Sequence, residues 1–192
     1  MPRTQARPAE ASANERFEEL FLEHHPAVVA YVRRRAPAEA VDDAVGETFL
    51  VAWRRLNRVP EEPLPWLLAV ARNVLATQQR GSRRRDALVQ RLRGAELPAY
   101  VAAPGVAEGD GHVLEALNRL SPKDREALTL IAWDGLTPQE AAGVLRESPG
   151  TFRVRLHRAR QRLQQQLKEG SQAASTPPTT EQRLRIGGPV HE

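Results

Sequence analysis

Apolar residues recur along this chain at intervals of three and four, the spacing that places them on one face of an α-helix. Phe17, Leu20, Phe21, Val28 and Val32 make the first such stripe, in FEELFLEHHPAVVAYVRRRA, with Asn14 placed to cap it and Pro26 placed to kink or divide it. A second stripe, Val41, Val45, Phe49, Ala52 and Leu56, spans roughly Glu39 to Asn57. A proline-rich loop from Asn57 to Pro65, NRVPEEPLP, then leads into WLLAVARNVLATQQRGSRRR, with Trp66, Leu67 and Val70 facing inward.

The pattern stops and then resumes. A helix closing near Leu120 is followed by SPKDREALTLIAWDGL, in which Ser121 caps, Pro122 suits the first turn and Gly135 ends the element. Thr137, Pro138 and Glu140 spell a capping box with proline at its first helical position, opening a short helix that runs through Leu145. After a break at Arg146 to Ser148, a last helix extends to about Leu167 on the stripe Phe152, Leu156, Ala159, Leu163 and Leu167. No segment alternates in the period of a strand, so the fold is expected to be all-α.

Between the two groups of helices lies GAELPAYVAAPGVAEGDG, Gly94 to Gly111, with four glycines, two prolines and no basic residue. Such a stretch buries too little apolar surface to offset its ordering entropy, and it reads as a flexible linker. The expected organisation is therefore two small helical domains, 14–93 and 112–168, with disordered ends at 1–13 and 169–192.

Composition narrows the chemistry. Across 192 residues, 28 Lys and Arg face 24 Asp and Glu, for a net charge of +4, and nearly all the cations are arginine. The guanidinium fork matches phosphate oxygens, which favours a phosphate-bearing partner. The chain has no cysteine, so disulfides and thiolate zinc sites are excluded. No apolar run approaches membrane-spanning length, and a cytoplasmic protein without membrane insertion is expected.

The last helix turns Arg153, Val154, His157, Arg158 and Gln161 away from its apolar stripe, with Arg155, Arg160 and Arg162 on the flanks. Arginine grips phosphates and guanine edges, glutamine reads adenine, and an exposed valine can rest on a thymine methyl. A short helix followed by a basic one is the helix-turn-helix arrangement, whose second helix enters the major groove. A second basic cluster, including Arg80, Arg83 and Arg84, closes the first domain and suggests another contact to the same nucleic acid. Asp42, Asp43 and Glu47 line an outer face beside Leu50 and Trp53, a combination suited to docking a basic protein. Asp43 and Glu47 stand one turn apart, yet no third ligand accompanies them, and neither a metal nor a cofactor is expected.

These residues resemble those of the extracytoplasmic-function sigma factors, the small two-domain members of the bacterial sigma factor family. DDAVGETFLVAWRRL resembles the family's polymerase-binding helix, WLLAVARNVL its minus-ten helix, and LNRLSPKDREALTLIAWDGLTPQEAAGVLRESPGTFRVRLHRARQRL its minus-thirty-five domain. The match covers about Asn14 to Leu167, in the family's order on both sides of a linker. It implies a non-enzymatic subunit that binds core RNA polymerase, directs it to promoters and assists melting. Asp43, Glu47, Leu50 and Trp53 would then dock on polymerase. The Asn57 to Pro65 loop, with Trp66 and Asn73, would hold a flipped minus-ten base. Arg153, Val154, Arg155, His157 and Arg158 would contact the upstream duplex. An anti-sigma factor is a common further partner in the family. Gly46 stands where the family usually has glutamine, and Thr77 where it often has aspartate. The alternative is a stand-alone helix-turn-helix regulator, against which the acidic-apolar helix and the second basic surface weigh.

Overall fold

The computed structural model describes residues 8–89 and 111–175, with side chains over 12–81 and 111–170. These residues form helices α1 (Pro8–Arg33), α2 (Val41–Arg54), α3 (Pro63–Val89), α4 (Gly111–Arg119), α5 (Pro122–Ala132), α6 (Pro138–Leu145) and α7 (Pro149–Ser175). Short 3-10 turns precede and follow α2, at Ala38–Ala40 and Leu56–Arg58. No strand occurs among the described residues, so the architecture is all-α.

Several element boundaries differ from those expected. Helix α1 begins at Pro8, so Asn14 lies inside it and is not its cap. Proline fits a first turn because its missing N–H has no helical partner there, and the alanines and glutamates that follow favour helix. Pro26 is exposed within the same continuous helix, so it does not divide the element. The second helix is shorter than Glu39 to Asn57, its two ends tightening into the 3-10 turns. Helix α3 starts at Pro63, again with proline in the first turn, which shortens the loop that ended at Pro65 in the sequence reading. Trp66 and Val70 are half-buried against the core, while Leu67 is fully buried. Helix α7 continues past Leu167 to Ser175, into the stretch expected to be disordered. The expected linker lies outside the described residues up to Gly111, which opens α4.

Helices α1, α2 and α3 pack as one three-helix unit. Val28, Tyr31 and Val32 of α1 meet Ala44, Phe49 and Ala52 of α2 and Leu67, Leu68 and Ala71 of α3, all essentially sealed from solvent. Helices α4 to α7 make the second unit, in which α7 packs on α4, α5 and α6 through Phe152, Leu156 and Ala159. Each large apolar side chain so buried contributes about 1.5–3 kcal/mol. Arg125 closes the end of α4 by donating from Nε to the Leu117 carbonyl at 2.9 Å and from Nη2 to the Asn118 carbonyl at 2.8 Å, carbonyls the helix itself leaves unpaired.

The two units also meet each other, a feature the sequence did not disclose. Helix α3 lies against α6, and the end of α1 reaches α5 and the turn behind it. Arg34 pairs with Asp134, and Arg35 donates to Thr129 Oγ1 at 3.0 Å and approaches the other Asp134 oxygen at 3.4 Å. Arg34 also lies over the Trp133 ring, 5.7 Å from its centre, while Arg35 covers Tyr31 at 3.6 Å. Next to them, Glu126 accepts from Tyr31 Oη at 3.3 Å and Arg72 Nε at 3.0 Å. The Asp134 side chain is only 3% exposed. Burial pushes its carboxyl above the ordinary range, against the opposing pull of Arg35 and Arg34.

Candidate protein and nucleic-acid interfaces

Helix α2 presents one face to solvent. Asp43 and Glu47 are exposed on it, and Leu50 and Trp53 follow along the same side at 45% and 41% exposure. Large apolar side chains this open, beside carboxylates, are what a docking surface requires. The Trp53 ring is held edge-on by Phe17 at 5.1 Å, and Phe21 and Phe49 meet each other edge-on at 4.7 Å between ring centres, so the face is braced from beneath. Glu47 touches Gln78 of α3 only at the 3.5 Å limit. A Cβ added at Gly46 would meet nothing within 4 Å, so the position where the family usually carries glutamine is open at its root. Among the described residues no group of three or more histidine, aspartate or glutamate side chains is gathered to hold a metal ion.

On α3, Asn73, Thr77 and Arg80 lie on one face, linked in sequence by hydrogen bonds. The Asn73 amide donates to the Ala69 carbonyl at 2.7 Å, Thr77 Oγ1 donates to the Asn73 carbonyl at 2.9 Å, and Arg80 donates to Thr77 Oγ1 at 3.1 Å. Threonine at position 77 thus returns its hydroxyl to the helix backbone and steadies the arginine one turn on. The side chains of Arg83 and Arg84 lie outside the described residues. Sequence reasoning passed over Arg54, Arg55 and Arg58, which with Trp53 and Asn57 line a pocket of about 300 Å³ where α2 gives way to the proline-rich loop. Their RRLNR spacing around a helix end was the available signal.

The helix-turn-helix is built as its local chemistry dictates. Thr137 Oγ1 accepts the Glu140 N–H at 3.3 Å, and the Glu140 carboxylate accepts the Thr137 N–H at 2.6 Å and its hydroxyl at 2.7 Å. Those bonds hold the Glu140 carboxyl below its ordinary range. Helix α6 ends with Arg146 in the left-handed region at φ 56°, where the Glu147 N–H reaches back to the Ala142 carbonyl at 2.9 Å. Glycine usually fills that place, and here the break at Arg146 to Ser148 begins with a regular helix end built on an arginine. Ser148 then caps α7 by accepting the Thr151 N–H at 3.1 Å.

Arg153, Val154, His157 and Arg158 are exposed along the start of α7, with Val154 at 52%. Arg155 differs from them. It is half-buried and forked on Glu147, with Nε at 3.0 Å and Nη2 at 2.8 Å, bonds that raise its guanidinium pKa further. The structure therefore ties Arg155 to the turn, while its four neighbours project outward. Farther along, Arg162 pairs with the buried Asp124 at the start of α5 and fixes α7 to that helix.

Two family models match the chain in the order its helices suggest, Sigma-70 region 2 over residues 20–85 and Sigma-70, region 4 over residues 111–163. The chain belongs to the sigma-70 family, among its small extracytoplasmic-function members. It is a sigma factor, and it directs RNA polymerase to promoters; the stand-alone regulator reading falls away. The RNA polymerase sigma factor CarQ of Myxococcus xanthus is 34% identical over 164 residues, which cover 82% of this chain and 92% of that protein. The ECF RNA polymerase sigma factor EcfG of Rhodopseudomonas palustris is 32% identical over 133 residues, covering 66% and 70%. The sigma factor RpoE of Bartonella quintana, solved with the anti-sigma factor NepR, is similar at a TM-score of 0.65 and 29% identity, covering 79% of this chain and 96% of that one.

Proposed function

We propose that the α1–α3 unit, which spans most of the domain expected at 14–93, docks on core polymerase through Asp43, Glu47, Leu50 and Trp53 and engages the minus-ten element through α3. The α4–α7 unit, which holds the domain expected at 112–168, reads the minus-thirty-five element. The observation that carries this division is the open acidic-apolar face of α2, which a duplex-binding protein has no use for and a polymerase subunit needs. On α3, Asn73 and Arg80 face the minus-ten strand, with Arg83 and Arg84 continuing the basic run. The arginines Arg54, Arg55 and Arg58 of the pocket suit a phosphate-bearing strand drawn from the duplex, whose backbone they would hold.

On α7, Arg153, Val154, His157 and Arg158 meet the major groove. Each bidentate base contact there discriminates by about 1–3 kcal/mol. Arg155, held by Glu147, serves a phosphate at the groove's edge. The protein acts in the cytoplasm, without catalytic activity of its own and without a cofactor. An anti-sigma factor is a further partner, as NepR is for the Bartonella protein.

The test is capture of purified core RNA polymerase by the full chain, followed by run-off transcription from a fragmented genomic library. Binding with new discrete start sites is the expected result. Retained DNA binding without polymerase capture would overturn the assignment of α2.

A further inference from the structure

Arg146 is the one non-glycine residue at positive φ among the described residues, at φ 56° and ψ 41°. An L-residue is strained there because its Cβ crowds the backbone, and glycine is not. What the fold takes from position 146 is backbone alone. Its N–H donates to the Gly143 carbonyl at 3.1 Å, and the next N–H, of Glu147, closes on the Ala142 carbonyl at 2.9 Å. Glycine would make the same bonds. The arginine side chain is exposed, and among the described residues no carboxylate and no side-chain hydrogen bond holds it. Strain kept at a residue whose side chain the fold does not use points to a partner outside the chain.

The surroundings place that side chain. Glu147, the next residue, is forked by Arg155 on the second turn of α7, with bonds of 3.0 and 2.8 Å, so the turn is fastened to the helix that follows. Ser148 fixes it again, its Oγ accepting the Thr151 N–H at 3.1 Å and meeting Thr151 Oγ1 at 2.8 Å. The Glu147 charge is thereby answered by Arg155, and Arg146 stays uncompensated one residue away. A helix with its side chains is about 10–12 Å across and the major groove about 12 Å wide. A turn feeding the first residue of a helix in that groove must therefore pass the phosphates along its edge. Arg146 stands at that crossing, at the end of α7 where Arg153 and Val154 open the exposed run.

We infer that Arg146 is a further DNA-binding residue, gripping a backbone phosphate of the minus-thirty-five duplex at the rim of the major groove, and that its left-handed backbone aims it there. This rests on the reading that α7 enters that groove. The guanidinium offers two parallel N–H bonds to phosphate oxygens, with no internal partner to give up. A contact of this kind fixes register on the duplex and carries no base preference. Arg146 therefore adds affinity for every sequence alike and leaves discrimination to the exposed residues of α7. Stability and binding oppose each other at this position, since glycine relieves the strain and removes the grip.

The experiment compares holoenzymes assembled from core polymerase and the full chain, as parent, Arg146→Gly, Arg146→Lys and Arg153→Ala. Each is titrated over a range of salt against a promoter duplex taken from the start sites that run-off transcription maps. Arg146→Gly should bind several-fold more weakly, with the slope of log affinity against log salt reduced by about 1, although the free variant melts above the parent. Arg146→Lys keeps the charge and should recover most of the slope. The full chain on a mixed-sequence duplex should show the same loss, because phosphate carries no sequence information, and this probe serves where no start site is mapped. Unchanged affinity and slope in Arg146→Gly, with Arg153→Ala weakened, would overturn the contact and leave the reading of α7 standing. Unchanged binding in both variants would overturn the reading of α7 itself, so the two failures are distinguishable. Weaker binding by an Arg146→Gly variant that melts below the parent and keeps the parent's salt slope would give the arginine a structural role and also overturn the contact.

Discussion

Arg146 occupies φ 56°, ψ 41°, a conformation that costs an L-residue about 1–2 kcal/mol and costs glycine almost nothing. Arg146→Gly is therefore expected to stabilise the protein by about 1 kcal/mol, seen as a rise of a few degrees in the thermal midpoint. The sequence placed a break at Arg146 to Ser148, but backbone angles are not written in side-chain chemistry. Arg155 shows the same limit. Helical spacing put it on the flank of the DNA face, and only the fold reveals that Glu147, eight residues back across the turn, takes its guanidinium. Arg155→Ala should weaken promoter binding by roughly tenfold, about 1.4 kcal/mol, with polymerase capture unchanged. Equal promoter affinity for variant and parent would confine the arginine to bracing the turn.

At the scale of the element, most of the architecture was legible. Ser121, Thr137 and Glu140 act as their types and spacing require, and the outward faces of α2 and α7 carry the expected residues. Boundaries went astray where proline was taken as a barrier and not as a first-turn residue, at Pro8 and Pro63, and where polar composition near Gly170 hid helix propensity. Asp43→Arg reverses charge in the middle of the α2 face. It should reduce polymerase binding about tenfold or more while leaving affinity for minus-thirty-five duplex intact, as measured by titration against each. Parallel loss of both would argue against separate roles. In α6, the Glu140 carboxyl is held low by Thr137 and, secondarily, Glu62. A depressed carboxyl contributes stability that is present above its unfolded value and is lost as pH falls through its folded one. The parent should accordingly lose more stability than Glu140→Gln as pH is lowered below the carboxylate range, in melting curves recorded side by side.

The whole molecule holds what no local pattern predicts. Arg34, Arg35 and Asp134 are separated by about a hundred positions in the chain, and nothing in RRRA or AWDG announces that they meet. Removing one partner of a buried ion pair typically costs 3–5 kcal/mol, because a charge is left without water or counter-ion. Asp134→Ala is therefore expected to lower the thermal midpoint of the full chain by several degrees, read in melting curves beside the parent. The joint is also not fully made. Arg34 Nε is buried without a hydrogen-bond partner, and an unanswered donor of this kind costs about 1–3 kcal/mol. A substitution that supplied Arg34 Nε with an acceptor would tighten the joint between the two units, and the full chain would then melt at a higher temperature.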